Sequence, residues 1–346
     1  MDFVTDYGLF LAKIITVLLS FGVLIALIAG ASRAKPKDKG HIEVTSLSEK
    51  LKKNEDTFAE SILPPHEKKS AIKERKKRDK LSAKKTTKDI AESQGGRTFV
   101  LNFHGDLRAS AVAALREEIT AILAQVKSDD EVVVKLESSG GMVHSYGLAA
   151  SQLDRIRKQN ISLTICVDKV AASGGYMMAC VADKVVAAPF AIIGSIGVVA
   201  QIPNINRLLK RHDVDVELIT AGKYKRTLTV LGENTEEGRD KFRQDMEDIH
   251  DLFKEYVAER RQKLDIEEVA TGEIWYGSRA QQIGLVDDIK TSDEYLTALA
   301  KDRSVFEVHY IEKKTLPEKF GIAVEETSDR LLVRWINRLS KSHHYF

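Results

Sequence analysis

A single serine, Ser173, sits in AASGGYMMAC between two alanines and a glycine pair. Glycine directly after a serine lets the backbone turn sharply and brings the next N–H close to whatever is bound at the hydroxyl, as in a strand-to-helix nucleophile elbow. The same residues also suit an ordinary helix N-cap, so alone they decide nothing. A second pair, Gly140-Gly141 in SSGG, closes a preceding strand-like run and offers another backbone donor. Two converging N–H groups are what a tetrahedral oxyanion needs. Together these residues point to acyl transfer by a serine hydroxyl.

Such a serine needs a base. The next histidine along the chain, His212, stands in LLKRHDVDVE, a polar, helix-ending setting that reads as a surface C-cap. Lysine serves instead where its pKa falls from about 10.4 to about 7 or 8. That shift represents roughly 3 to 5 kcal/mol of penalty on the ammonium, which burial must supply with help from nearby cations. Lys223 and Lys225 in GKYKRT follow Val216 to Ile219, an apolar stretch expected as a strand, and stand beside Arg226. Both project to one side of an extended backbone, so spacing does not choose between them, and a solvated basic turn is the plainer reading of the same residues. Cys166 and Cys180 lie in apolar runs without CxxC spacing and read as small buried hydrophobes, so neither a metal nor a disulfide is expected.

The elements that must position these groups show in the flanking pattern. TFVLNFHG has the alternation of a strand, and Val112, Leu115, Ile119, Ile122 and Val126 fall at helical spacing after a Ser110 cap. Val132 to Leu136 and Ser162 to Val167 read as buried strands, with a helix from about Val143 to Lys158 between them. A long amphipathic helix is expected over about 235–263, with Ile249, Phe253 and Val257 on its apolar face and Asn234 as its cap. Strands alternating with helices argue for an α/β domain. The apolar stretch 185–200 is broken by Pro189, Gly194 and Gly197, which suits buried strands better than a membrane span.

Of the 346 residues 43% are apolar, enough for a sizeable core, and 53 basic against 51 acidic residues give a formal charge of +2 that favours no acidic partner. Residues 1–8 read as a short tail. Residues 9–30 carry one charge, Lys13, and read as a transmembrane anchor in the lipid bilayer. A signal peptide competes through Ala29-Gly30-Ala31, but Asp2 and Asp6 stand where a basic cluster would be needed. Residues 31–96 read as a charged flexible linker, in which eleven basic residues and three acids fall between Glu67 and Lys88. Such a run suits a solvated tether or anionic headgroups. No aromatics interleave it, so no nucleic acid is expected. Residues 306–346 are expected as a C-terminal extension, a strand plus an amphipathic helix.

Five motifs in order, SSGG at 138–141, ASGGY at 172–176, GSIGV at 194–198, GKYKR at 222–226 and GLVD at 284–287, resemble those of the signal peptide peptidase A family of Ser-Lys proteases. The layout is most similar to its SohB branch. This resemblance implies an α/β, crotonase-like or Clp-like fold of repeated β-β-α units over 97–305, preceded by one N-terminal transmembrane helix. It further implies a homo-oligomer, peptide or protein substrates such as signal-peptide remnants, and no cofactor or metal. Carried over by motif, Ser173 is the nucleophile, Lys225 the general base, Ser195 the holder of the lysine amine, and Gly140 with Gly174 the oxyanion donors. Ser139 departs from the family's usual proline, which would have stiffened the turn. Two other classes share the pattern: a catalytically silent membrane scaffold, and an acyl-CoA enzyme on the same fold. Against the latter, no general-acid carboxylate pair flanks the glycines. A bacterial inner membrane is the implied location. There Arg33, Lys35, Lys37 and Lys39 after the span predict a cytoplasmic domain, whereas the family implies the periplasmic face.

Overall fold

The structure, a computed structural model, describes residues 7, 8, 10–20, 40–82 and 96–313. Its elements run β1 (Gly40–Ser46), α1 (Leu47–Ile62), α2 (Pro65–Ser82), β2 (Thr98–His104), α3 (Val112–Leu123), β3 (Glu131–Glu137), α4 (Val143–Arg157), β4 (Ser162–Val167), β5 (Val170–Ala172) and α5 (Gly174–Ala179). They continue with β6 (Lys184–Ala187), β7 (Ile192–Gly194), α6 (Asn206–Arg211), α7 (Glu236–Arg260), α8 (Ile266–Val269), β8 (Ile274–Tyr276), α9 (Gly277–Gln282), β9 (Asp288–Ile289), α10 (Ser292–Asp302) and β10 (Val305–Glu312). By its contacts the chain divides into Ile42–Tyr310, which carries every element of the site, and a second unit of Met1–His41 with Ile311–Phe346.

Seven strands form a sheet in the order β1-β10-β2-β3-β4-β6-β9, parallel from β10 onward. Parallel sheets are covered on both faces, which is why β3 reads as a nearly continuous apolar run. One face carries Leu101, Phe103, Val134, Leu136 and Ile165 against α3 and α4, where Leu115, Ile119 and Leu153 are buried. Each such side chain contributes on the order of 2 kcal/mol through burial. The other face puts Val100, Val133, Cys166 and Val186 under Leu296 of α10. Burial pushes the Cys166 and Cys180 thiols up to about 12, and both are free, as expected of small hydrophobes.

A second sheet, β5-β7-β8, grows from the ends of the first. The chain leaves β3, bridges Ser138 to Ala171 in parallel fashion, and enters α4. It leaves β4, adds β5 to the small sheet and enters α5. Then β6 is followed by β7 in the same way. Within the stretch 185–200, β6 and β7 supply buried strands, while Phe190 and Val199 lie exposed. This repeated step places one turn after another along a single edge.

Several expectations need correction. Residues 40–82, within the stretch read as a flexible linker, hold a strand and two helices: Ser46 caps α1 by accepting from Glu49 N–H, and Arg75 pairs with Glu60 at 2.8 Å. Neither charge content nor the absence of a long apolar run forbids helices built from strong helix formers. The strand assigned to the C-terminal extension, β10, pairs with β2 inside the main sheet. Helix α7 is capped by Thr235, not Asn234, because the Asn234 amide closes a loop onto the backbone of Thr229. Ser110 does not cap α3. Val216 to Ile219 form no strand and are exposed. Among the described residues no helix is long and apolar enough to cross a membrane. Of the expected span 9–30, residues 10–20 are helical, and the rest lies outside the described residues, as does the helix expected after β10.

Candidate active site

Strand β5 ends at Ala172, and the chain turns through Ser173 at φ 52° and ψ −120° into α5. A non-glycine residue held there costs about 1–3 kcal/mol and persists only where its surroundings impose it. They do so here, because Ser173 N–H donates to Gly194 O at 2.8 Å, continuing the pairing of Ala172 with Gly194. The Ser173 hydroxyl makes no capping bond to α5, so the N-cap reading does not hold. One residue beyond Gly194, Ser195 also has φ 52° and donates its N–H to Glu273 O at 2.6 Å. The register of β5 with β7 thus sets the two serines beside each other at the ends of adjacent strands, both half-buried.

Gly140 packs directly against this elbow. A Cβ there would lie 2.7 Å from Gly174 N and 2.8 Å from Ser173 Cβ, and its φ of 90° also favours glycine. Its own N–H donates to Ser138 Oγ at 3.1 Å. Gly141, the other member of the glycine pair and not the one the family motif pointed to as donor, makes no N–H hydrogen bond among the described residues. Together with Ser173 and Gly174 it lines a narrow cleft of about 20 Å³, closed by Val143, Met177, Val198, Ile249 and Phe253. Gly141 too must be glycine, since a Cβ would meet Leu107 O at 2.2 Å.

The two lysines separate cleanly. Lys223 pairs with Glu237 at 2.8 Å and lies over the Tyr224 ring, and the Glu237 hydrogen bond, with Tyr224 helping, pushes its pKa up. An ammonium so held is a poor proton acceptor. Lys225 has no side-chain partner among the described residues, but it lies exposed on a turn closed by its N–H to Gly222 O at 3.2 Å. The burial that a lysine base was expected to need is absent. Residues 199–226 find almost no core of their own chain to pack on. The structure therefore brings Ser173, Gly140, Gly174 and Ser195 together and leaves Lys225 apart from them. Among the described residues no cluster of side chains has the makings of a metal site.

Comparison with known proteins gives this geometry its context. Residues 2–153 match the model of the peptidase family S49 N-terminal region, and residues 155–306 match that of peptidase family S49. A protein of Haemophilus influenzae named "Probable protease SohB" is 47% identical over 353 residues, covering 99% of both chains. The chain belongs to peptidase family S49. A second relative, "Probable protease SohB" of Buchnera aphidicola subsp. Schlechtendalia chinensis, is 47% identical over 86% of this chain and 99% of its own. "Protease 4" of Haemophilus influenzae is 27% identical over 51% of this chain and 30% of its own. The junction of the two S49 models falls inside α4. Gly140 and Gly141 lie in the amino-terminal match, and Ser173, Ser195 and Lys225 lie in the other.

Proposed function

We propose that this S49 chain is a serine endopeptidase in which Ser173 is the nucleophile and Lys225 the base. The observation that carries the reading is the uncapped Ser173 hydroxyl at a φ 52°, ψ −120° turn, with the Gly140-Gly141 turn packed against it. The Lys225 amine accepts the Ser173 proton as Oγ bonds to the scissile carbonyl carbon, and the oxygen of that carbonyl takes the negative charge. Gly174 N–H and the N–H of Gly141 receive it, because Gly140 N–H is already committed to Ser138. The role of Gly140 is then to leave the space over Gly174 N–H open. Collapse breaks the C–N bond, Lys225 returns its proton to the leaving amine, and water cleaves the acyl ester by the same steps with the proton handed back to Ser173. Ser195 holds the lysine amine.

The cleft beside Ser173 is lined by apolar side chains and suits a small apolar residue on the acyl side of the cut. Membrane-associated segments such as signal-peptide remnants offer such residues. We infer the same for location: residues 9–30 anchor the chain in a bacterial inner membrane, and the protease assembles as a homo-oligomer. A fluorophosphonate probe tests the chemistry. Labelling is expected at Ser173, and Ser173→Ala should abolish both labelling and peptide cleavage. A folded Ser173→Ala protein with near wild-type turnover would overturn the assignment, and labelling without any peptide cleavage would favour an acyl-handling enzyme.

A further inference from the structure

We propose that Tyr146 and Ser138 are positioning residues, which through one directed hydrogen-bond chain, Gly140 N–H to Ser138 Oγ to Tyr146 Oη to Asp106 O, orient the glycine turn that faces Ser173. This rests on the reading of Ser173 as nucleophile.

Each hydrogen in the chain can be assigned. Tyr146 has one hydroxyl hydrogen, and its Oη lies 2.8 Å from Asp106 O, a carbonyl that can only accept. The 2.6 Å contact between Tyr146 Oη and Ser138 Oγ is therefore made by the serine hydrogen. That leaves the Ser138 oxygen lone pairs for Gly140 N–H, at 3.1 Å. Reversing any link would leave a carbonyl facing an oxygen with no hydrogen between them. Bonds aligned in this way polarise one another, and both side chains are buried away from competing water.

The chain is fixed at every point to the elbow. Ser138 N–H donates to Val170 O at 2.9 Å and Ser138 O accepts from Ala172 N–H at 3.0 Å, so Ser138 is bridged to the strand that presents Ser173. The ring of Tyr146 is the floor of the nucleophile turn, since a Cβ on Gly174 would lie 2.4 Å from its Cγ. A Cβ on Gly105 would lie 2.3 Å from Ser138 Oγ and 2.4 Å from Tyr146 Oη, so the approach is close from the β2 side too. The far end of the turn is tied to the same loop, with Met142 N–H donating to Leu107 O at 2.9 Å. Two glycines in sequence have wide backbone freedom, and Ser139 does not fix φ as proline would. The chain restricts the peptide plane on one side of Gly140, and with it the direction of Gly141 N–H.

The test uses the full chain and three variants, Tyr146→Phe, Ser138→Ala and the double. Turnover of a peptide is expressed per Ser173 labelled by fluorophosphonate at the end point, so that any unfolded fraction drops out. Tyr146→Phe keeps the ring under Gly174 and removes one oxygen. It should lower kcat by about 10-fold or more, somewhat less than outright loss of an oxyanion donor, with KM within two-fold. Affinity for a peptide aldehyde, whose hemiacetal oxygen needs the same donors, should fall in parallel with kcat. The double variant should be no worse than the poorer single one, because the chain is broken once. The proposal is overturned if kcat per labelled site is unchanged while only melting falls, if KM and aldehyde affinity move together with kcat intact, or if the two losses multiply. Wild-type protein that labels nowhere at Ser173 overturns the nucleophile reading and this inference with it.

Discussion

Ser173 holds a backbone conformation that glycine would adopt freely, and in it the hydroxyl makes no capping bond to α5. Ser173→Gly and Ser173→Ala should both be inactive, yet calorimetry should show the glycine variant melting above the alanine variant. Relief of about 1–3 kcal/mol of strain outweighs glycine's extra unfolded-state entropy of about 0.5–1 kcal/mol. The reverse order would mean that the neighbours do not impose the conformation. At the base, Lys225→Ala should lower kcat by about 10² or more, while Lys223→Ala, which breaks only an exposed pair with Glu237, should stay within a few-fold. Steady-state rates on one peptide decide the ranking.

Helix α3 carries a carboxylate where its spacing asks for an apolar residue. Glu118 is buried with Leu115, Ile119 and Ile122 and accepts a hydrogen bond from Tyr310 N–H at 2.8 Å. Burial pushes its pKa up, against the smaller opposing effects of Tyr310 N–H and His309. With the folded pKa above the unfolded one, the native state binds the proton more tightly, so stability falls as pH rises through that interval and stays lowered at neutral pH. Glu118→Gln should therefore melt higher than wild type at pH 7, and melting curves should converge below about pH 4, where both states are protonated. A constant difference at all pH values would mean that packing, not charge, separates them. The sequence was legible at this level wherever an element buries one or two whole faces: Ser162–Val167 was read to the residue and β3 to within one at each end. It was less legible where side chains satisfy the backbone across a loop. The Asn234 amide looked like a cap and closes onto Thr229, and the motif pointed to Gly140 as a donor although its N–H is committed to Ser138. Ser138 and Tyr146 carried no periodic signal, since their role is set by contacts to Asp106 and to each other.

On the scale of the molecule, the part of the site that the sequence predicted and one chain does not assemble is Lys225. Apolar side chains surround it along the strand-poor stretch 199–231, with Val199, Leu208, Ile219 and Leu231 all exposed and Ile219 at 90%. A run of that size left in water is of the kind found at contacts with other proteins or with membranes. Val216 to Ile219 look like a buried strand because they are rich in apolar residues, and composition alone does not say whether anything covers them. A lysine acts as a base only when its amine is shielded from water. Both needs are met if this arm of one copy lies over the Ser173 cleft of the next, a head-to-tail contact that closes into a ring. In such a ring each site would take Ser173 from one subunit and Lys225 from its neighbour. Mixing Ser173→Ala and Lys225→Ala subunits, each inactive alone, distinguishes this from a site built within one chain. Random assembly from equal amounts puts an intact serine next to an intact lysine at about a quarter of the interfaces of a head-to-tail ring, so co-refolded mixtures should regain up to about a quarter of wild-type turnover. A site contained in one chain would give none at any mixing ratio, and in that case the exposed arm serves some other contact and Lys225 must reach its own Ser173 by folding back.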